Sequence, residues 1–181
     1  MARAVDFEKA IRGHGAIKIS EFTTRAGLPA NCKIEVDDQF LKSNQDLADQ
    51  IAENLANQMA SHEPKLIVPV PRGANYLGEL VAKQMQICYL AVGKTDEGTF
   101  HIRTSGDRAK LSRTESIGIV DDVFTTGSAL RDLSSLPEFE GRVVTAGVVW
   151  DRSDSGKPKK LDFDLVSVVE KYVPLWVEVD S

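Results

Sequence analysis

The sequence predicts an α/β fold in which helices flank an open, mostly parallel sheet. From residue 65 onward, short apolar segments alternate with segments that have helical periodicity. The apolar segments are rich in β-branched residues and nearly uninterrupted by polar ones, which is typical of parallel strands covered on both faces. The composition, with 42% hydrophobic and 27% charged residues, is that of an ordinary globular domain.

The N-terminal part is predicted to contain two helices separated by a small β region. Residues 5–12 (VDFEKAIR) place apolar side chains on one loose helical face. Residues 14–40 have short alternating segments interrupted by Gly and Pro, which indicates short strands and turns. Residues 43–60 carry apolar side chains at four-residue steps and form the clearest amphipathic helix of the chain.

The remaining elements follow the βα alternation. They are strands at 65–70, 86–92, 116–120 and 142–150 and helices at 75–85 and 127–136. The tail at 161–180 is apolar, with Pro174 as a breaker, and predicts one or two late strands. Residues 93–115 are polar and rich in Gly and Thr, and such long connections are uncommon unless they are functional or disordered. This segment is either a mobile or hairpin-like active-site loop or a surface loop without a role in function.

Bulk properties narrow the class of protein. The chain has 181 residues, enough for one full-sized domain, and its formal net charge is −5, which does not favour nucleic acid or an anionic membrane as a partner. No apolar run approaches the roughly 20 residues that span a bilayer. Two cysteines far apart in sequence, Cys32 and Cys88, indicate reduced thiols. We therefore expect a cytoplasmic protein.

Two predicted strand-to-helix turns carry unusual chemistry, and ligands of open parallel sheets bind at such strand ends. The first turn is Pro71-Arg72-Gly73-Ala74. Gly73 allows a close approach of the backbone to a ligand, the following helix offers free N–H groups to an anion, and Arg72 adds a forked donor suited to phosphate. The alternative is an ordinary turn with a surface arginine.

The second turn follows two adjacent aspartates, Asp121 and Asp122, at the end of a buried strand. Two unpaired carboxylates are costly in a dry core, so they must face water, a cation or hydroxyl donors. Residues 125–128 (Thr-Thr-Gly-Ser) supply hydroxyls, a flexible glycine and helix N–H groups, which suits a phosphate. The combination predicts a ribose-phosphate site. An aspartate helix cap before a Ser/Thr-rich turn is the alternative, and it accounts for only one of the two acids.

These residues also carry a family resemblance. The segment IVDDVFTTGSAL (119–130) resembles the phosphoribosyl diphosphate (PRPP) signature of type I phosphoribosyltransferases. The resemblance implies that Asp121 and Asp122 hold the ribose hydroxyls and take part in catalysis. It assigns PRPP binding also to two loops, Pro71, Arg72, Gly73 and Ala74 for the diphosphate and Thr125, Thr126, Gly127, Ser128 and Ala129 for the 5-phosphate. It further implies Mg²⁺ that arrives on the diphosphate of PRPP, without a dedicated metal site in the chain.

Other segments resemble orotate phosphoribosyltransferases in particular. The segment Phe22–Gly27 is similar to a strand of their N-terminal hood, with Arg25 at a ligand-binding lysine position, and VVWDRSDSG (148–156) is similar to the segment whose arginine, here Arg152, meets orotate. The resemblance implies that both arginines bind the base and that Lys94 of the mobile loop is catalytic. It also implies a homodimer.

The same resemblance predicts the domain organisation. Residues 1–181 form one phosphoribosyltransferase domain, in which 14–40 with parts of 150–181 build the hood and 43–150 the core. The expected activity is transfer of ribose 5-phosphate from PRPP to a nucleobase, with orotate as acceptor and diphosphate as the second product, as in pyrimidine nucleotide biosynthesis.

The sequence departs from the orotate pattern in two places. An aromatic pair usual in the hood is replaced by residues 31–34 (Asn-Cys-Lys-Ile), and only Lys94 matches the basic residues of the mobile loop. Two alternatives therefore stay open. The acceptor could be a purine or another base, or the chain could be a PRPP-binding regulator with weak or no catalysis. Lys94, Arg103 and Lys110 are the cations available to the loop.

Overall fold

The computed structural model describes residues 5–23, 29–154 and 159–176. Its centre is a five-stranded parallel sheet whose strands are, in spatial order, β4 (Cys88–Tyr89), β3 (Leu66–Pro69), β7 (Ile117–Phe124), β8 (Val143–Asp151) and β9 (Asp164–Glu170). Two small antiparallel pairs lie outside that sheet: β1 (Ile17–Thr23) with β2 (Pro29–Ile34), and β5 (Gly93–Lys94) with β6 (Phe100–His101). The predicted fold class, an open parallel sheet flanked by helices, is confirmed. Arg25 lies outside the described residues.

The elements follow one another along the chain with short connections. The first eight are α1 (Phe7–Gly13), β1 (Ile17–Thr23), β2 (Pro29–Ile34), α2 (Asp38–Ser43), α3 (Gln45–Met59), a 3₁₀ helix (Ala60–His62), β3 (Leu66–Pro69) and α4 (Asn75–Met85). The others are β4 (Cys88–Tyr89), β5 (Gly93–Lys94), β6 (Phe100–His101), α5 (Ser105–Leu111), β7 (Ile117–Phe124), α6 (Ser128–Ser134), β8 (Val143–Asp151) and β9 (Asp164–Glu170).

Strand β7 is the central strand, and its position brings the two predicted turns together. It pairs with β3 on one side and with β8 on the other. The backbone N–H of Val70, immediately before the first turn, donates to the carbonyl of Val120 in β7 at 2.8 Å. Because parallel strands end at the same edge of a sheet, residues 71–74 and 125–128 lie side by side there.

Helices cover both faces of the sheet with separate apolar cores. Helices α3 and α4 pack on one face and α6 packs on the other. Helix α3 approaches closely because Met59 lies over two glycines: a Cβ on Gly118 would be 2.8 Å from the Met59 Cε, and one on Gly147 would be 2.7 Å from its Sδ. A side chain at either glycine would collide with the methionine, so these glycines set the distance between α3 and the sheet.

Three local predictions differ from the structure. Strand β7 continues through both aspartates to Phe124, because its pairing with β8 extends to Asp151. Helix α2 was expected as strand and turn, although the side chain of Asp37 caps it by accepting from the N–H groups of residues 39 and 40. Helix α5 was not expected within 93–115, where Thr104 provides the cap. That segment also contains the hairpin β5-β6, so a hairpin is present as one interpretation predicted.

The two cysteines lie in different environments, since Cys32 is buried and Cys88 is exposed, and both are free thiols. Over the part of the chain that the structure describes, no helix is long and apolar enough to cross a membrane.

Candidate active site

A cleft of about 270 Å³ opens at the carboxyl ends of β3 and β7. It brings together most of the residues that the sequence singled out. Its lining consists of Val70, Pro71, Gly73, Lys94, Asp121, Asp122, Val123, Phe124, Thr125, Thr126, Gly127, Ser128, Ala129, Leu130 and Leu175. Two predicted PRPP-binding residues, Arg72 and Ala74, lie next to the cleft in the same turn, Arg72 exposed and Ala74 fully buried.

The two aspartates are held by the backbone of β7. The Asp121 Oδ1 accepts from the N–H of Asp122 at 2.9 Å, and the Asp122 Oδ1 accepts from the N–H of Val123 at 2.7 Å. Burial raises the pKa of the Asp121 carboxyl well above its usual range, and the charge of Asp122 raises it further. Burial also raises the pKa of Asp122. The pair is therefore poised to accept hydrogen bonds from hydroxyl groups or to face a cation.

Gly73 gives Asp122 the room that it occupies. A Cβ on Gly73 would lie 2.6 Å from the Asp122 Oδ2, closer than real side chains approach. The turn after β3 and the acidic pair of β7 thus fit together only if residue 73 is glycine. The Pro71–Arg72 peptide bond in this turn is cis.

A loop suited to phosphate follows β7. Gly127 has φ +72°, which favours glycine, and a Cβ there would lie 2.7 Å from the Phe124 ring. Arg131 stabilises the loop, since its Nη1 donates to the Thr126 carbonyl at 2.8 Å. The hydroxyls of Thr126 and Ser128 face each other at 3.4 Å. Hydroxyls and backbone N–H groups at the start of α6 give this loop, called the phosphate cradle below, the donors that suit a phosphate.

The hairpin β5-β6 contributes a cation to the cleft. Lys94 lines the cleft, its Nζ lies 5.3 Å from the centroid of the Phe100 ring, and its charge acts against the raised pKa of Asp121. At the hairpin turn, the Asp96 Oδ1 is 3.5 Å from the Arg72 Nη2. The hairpin thus contacts the turn at 71–74, the predicted diphosphate loop, of the same chain. Lys110, another cation considered for this role, instead donates to the Tyr89 carbonyl at 2.7 Å and lines a separate groove.

A second cavity of about 420 Å³ adjoins the cleft and shares four residues with it. Phe124, Thr125, Thr126 and Leu175 line both. The lining is completed by Arg152, Ser153, Asp154, Lys159, Tyr172 and Val173. The Lys159 Nζ lies 2.5 Å from the buried Asp151 Oδ2, which raises the pKa of Lys159 against the opposing effect of burial.

Arg152 lines this second cavity, but it is only 4% exposed. Its Nε donates to the Val173 carbonyl at 3.0 Å, its Nη1 to the Cys32 carbonyl at 2.9 Å and its Nη2 to the Pro174 carbonyl at 2.6 Å. Backbone carbonyls thus engage all three guanidinium nitrogens. Sequence reasoning did not single out Tyr172, Lys159 or Leu175, because their place at the cavity depends on contacts distant in sequence.

The described residues contain no group of three or more His, Cys, Asp or Glu side chains that could hold a metal ion. The cleft offers the carboxylates of Asp121 and Asp122. One or two carboxylates fit a magnesium ion that is bound mainly through the phosphates of a substrate.

The class of domain is an open parallel α/β sheet that carries paired acids and a Gly- and hydroxyl-rich loop at its carboxyl edge, where such sheets bind their ligands. The sequence profile of the family described as "Phosphoribosyl transferase domain" matches residues 35–179. The chain belongs to this family.

Curated relatives agree with the resemblance found in the sequence. An orotate phosphoribosyltransferase of Caldicellulosiruptor bescii is 28% identical over 119 residues, which cover 63% of this chain and 60% of the relative. One of Thermoanaerobacter sp. (strain X514) is 28% identical over 125 residues, which cover 67% of this chain and 62% of the relative. The matches thus span about three fifths of the length of these relatives.

Solved structures share the fold. The orotate phosphoribosyltransferase of Aeropyrum pernix has a TM-score of 0.63 at 20% identity, with 90% of this chain and 92% of that chain covered. The UMP synthase of Leishmania donovani reaches 0.70 at 18% identity, with 93% of this chain and 36% of that chain covered. An adenine phosphoribosyltransferase of Thermoanaerobacter pseudethanolicus has a TM-score of 0.61 at 19% identity, with 90% of this chain and 98% of that chain covered. These similarities show the fold and leave the base open.

Proposed function

We propose that this protein is an enzyme that transfers ribose 5-phosphate from PRPP to orotate, forming orotidine 5-phosphate and diphosphate. The observation that carries the proposal is the cleft in which the acidic pair, the diphosphate loop and the phosphate cradle meet. The curated relatives named above, which are orotate phosphoribosyltransferases, support orotate as the acceptor.

Each part of the cleft has a role in this reaction. Asp121 and Asp122 accept hydrogen bonds from the ribose hydroxyls, residues 125–129 bind the 5-phosphate, and residues 71–74 bind the diphosphate. Lys94 stabilises the negative charge that develops on the departing diphosphate. The ribosyl centre gains oxocarbenium character while the base attacks through a ring nitrogen, so the chain contributes mainly by positioning and by electrostatic stabilisation.

Magnesium fits this site as an ion carried by the substrate. When bound, it neutralises charge on the diphosphate. Asp121 and Asp122 are the described residues of the cleft that could contact it, since their carboxylate oxygens are the hard ligands that Mg²⁺ prefers. This assignment predicts that a chelator abolishes turnover.

The base is placed in the second cavity, beside the phosphate cradle. Arg152 and Lys159 are the two cations that line that cavity, beside the acidic Asp154, and a cation suits the carboxylate of orotate better than a neutral purine. Arg25 is also proposed to act on the base, on the strength of the sequence resemblance alone. The same resemblance supports a cytoplasmic homodimer, and light scattering in solution tests the dimer.

A diphosphate-release assay tests the proposed function. The protein is incubated with PRPP and Mg²⁺, and release is measured with orotate, uracil, adenine, guanine, hypoxanthine and xanthine. We expect release with orotate alone. Release with a purine alone would move the chain to the alternative acceptor class. If no base supports diphosphate release while PRPP binding is measurable, the protein is not a phosphoribosyltransferase with any of these bases, and the regulatory alternative is favoured.

The matched control for this assay is the double substitution Asp121→Asn with Asp122→Asn. It keeps the shape of both side chains and removes their charges, so we expect neither PRPP binding nor diphosphate release, with an unchanged circular dichroism spectrum. Unchanged PRPP affinity in this variant would refute the assignment of the ribose site.

A further inference from the structure

The hood positions that could offer a flat surface to a base face the interior of this protein. Asn31, Cys32 and Ile34 are only 6%, 2% and 5% exposed, and Lys33 pairs with Glu35 at 2.8 Å. None of these four residues is among those that line the cleft or the second cavity. Strand β2 therefore supplies no aromatic or apolar wall for a base.

The C-terminal segment 172–175 supplies that wall instead. The second cavity has four apolar or aromatic lining residues, Phe124, Tyr172, Val173 and Leu175, and three of them belong to this segment. Tyr172 is 59% exposed, so the apolar core makes little use of its ring. An exposed aromatic side chain at the edge of a cavity is a ready surface for stacking a planar ring.

The segment is held firmly in this position. Three nitrogens of the buried Arg152 donate to the carbonyls of Val173, Pro174 and Cys32, which ties the segment to β2. The Leu175 carbonyl accepts from the N–H groups of Asn31 at 2.8 Å and Cys32 at 3.0 Å. A wall held by four hydrogen bonds, two from Arg152 and two from β2, is already ordered before a ligand arrives, which lowers the entropic cost of binding.

We propose that Tyr172 is the residue on which the base stacks, and that segment 172–175 takes the place of a hood aromatic pair. Arg152 is then a positioning residue that acts on the base through this segment. The proposal rests on the proposed function, because it takes the ligand of the second cavity to be the base of a nucleotide whose phosphate lies in the cradle.

Binding measurements test the proposal without any turnover. Affinities for ribose 5-phosphate, orotidine 5-phosphate and AMP are measured by calorimetry, and the ratio of nucleotide affinity to ribose 5-phosphate affinity reports the contribution of the base. Tyr172→Ala should weaken binding of the preferred nucleotide about 10- to 100-fold, as expected for the loss of one stacked base. Its ribose 5-phosphate affinity should stay unchanged, and Tyr172→Phe should behave as the wild type.

Trp176→Ala is the matched control. Trp176 is 52% exposed and lies in the same part of the chain, but it lines neither cavity. We expect wild-type affinity for all three ligands. Arg152→Lys should lower nucleotide affinity and leave ribose 5-phosphate affinity unchanged, because one ammonium cannot hold three carbonyls in the guanidinium geometry.

The outcomes separate this proposal from the function on which it rests. If the wild-type protein binds orotidine 5-phosphate and AMP no more tightly than ribose 5-phosphate, both the stacking role of Tyr172 and the proposed function are overturned. Wild-type base contribution in Tyr172→Ala would overturn the stacking role alone, and an equal loss for ribose 5-phosphate would show a general structural role instead. A preference for AMP over orotidine 5-phosphate would change the acceptor, and it would support the wall if Tyr172→Ala removes that preference.

Discussion

Asp121 and Asp122 occupy neighbouring positions of β7, and burial makes both carboxyl groups harder to ionise in the folded protein than in the unfolded chain. A raised folded-state pKa means that the folded protein loses stability as the pH rises from the ordinary value near 3.8 towards the raised one. Above the raised pKa values, both carboxyl groups are charged in the folded protein, and the full loss of folding stability is present. The protein thus carries an electrostatic cost at its proposed ligand site.

Asp121→Asn should therefore stabilise the ligand-free protein at neutral pH. The amide oxygen can still accept from the N–H of Asp122, while the charge is gone, and each pKa unit relieved is worth about 1.4 kcal/mol. Denaturant unfolding across pH 4 to 7 should show a flatter profile than that of the wild type. PRPP affinity should fall in the same variant. A decrease in stability at neutral pH would contradict this interpretation of the acidic pair.

Gly73→Ala tests the fit between the two loops at the scale of one methyl group. The new Cβ would lie 2.6 Å from the Asp122 Oδ2 and must displace the carboxylate. We expect PRPP to bind about 10- to 100-fold more weakly, which corresponds to about 1.4 to 2.7 kcal/mol. Gly13→Ala is the control, because a Cβ there has no atom within 4 Å. Equal PRPP affinity in the two variants would show that the contact with Asp122 is unimportant.

Among the elements, the hairpin β5-β6 is the one that links the polar segment 93–115 to the cleft. It presents Lys94 to the cleft and contacts Arg72 through Asp96. A single exposed ion pair of this kind contributes little to stability, about 0 to 1 kcal/mol. This ion pair therefore contributes little to holding the hairpin against the turn at 71–74.

Lys94→Ala should lower kcat by a factor on the order of 10²–10³, as for the loss of one donor to a transition-state charge. The KM for PRPP should change much less. Lys110→Ala is the matched control, since Lys110 donates to the Tyr89 carbonyl away from the cleft, and its kcat should equal that of the wild type. A larger loss in Lys110→Ala than in Lys94→Ala would reassign the catalytic cation.

The elements also show which parts of the fold local sequence can predict. The boundaries of α4 were predicted to the residue, because apolar periodicity over eleven residues is a strong signal. Helices α2 and α5, with six and seven residues, are too short for such a signal and depend on their caps, Asp37 and Thr104. The extension of β7 beyond Val120 was missed because its polar residues are held by pairing with β8, which local pattern does not reveal.

The same distinction applies to the site. The acidic pair and the phosphate cradle are contiguous in sequence, so their chemistry could be predicted from a single segment. The wall at 172–175 could not, because it is placed by Arg152 through the Cys32 carbonyl, 120 residues away. Residues whose role depends on such distant contacts leave no local pattern.

At the scale of the whole molecule, Arg152 joins three parts of the chain: the end of β8, strand β2 and the C-terminal segment. Replacing it with Met would leave three backbone carbonyls without their donor. We expect a loss of about 2 to 5 kcal/mol in the free energy of unfolding. Arg108→Met is the control, because Arg108 forms an exposed pair with Glu138 and should lose less than about 1 kcal/mol. Equal losses in chemical denaturation would contradict the joining role.

The contact of Met59 with Gly118 and Gly147 has a consequence for how this chain can evolve. Since the methionine fills the space above two neighbouring strands, the three positions share one fixed volume. A side chain at 118 or 147 requires that the Met59 side chain moves or that residue 59 becomes smaller, and a smaller residue 59 leaves a void that an alanine at either glycine would help to fill. Substitutions at the three positions should therefore appear together among descendants of this sequence.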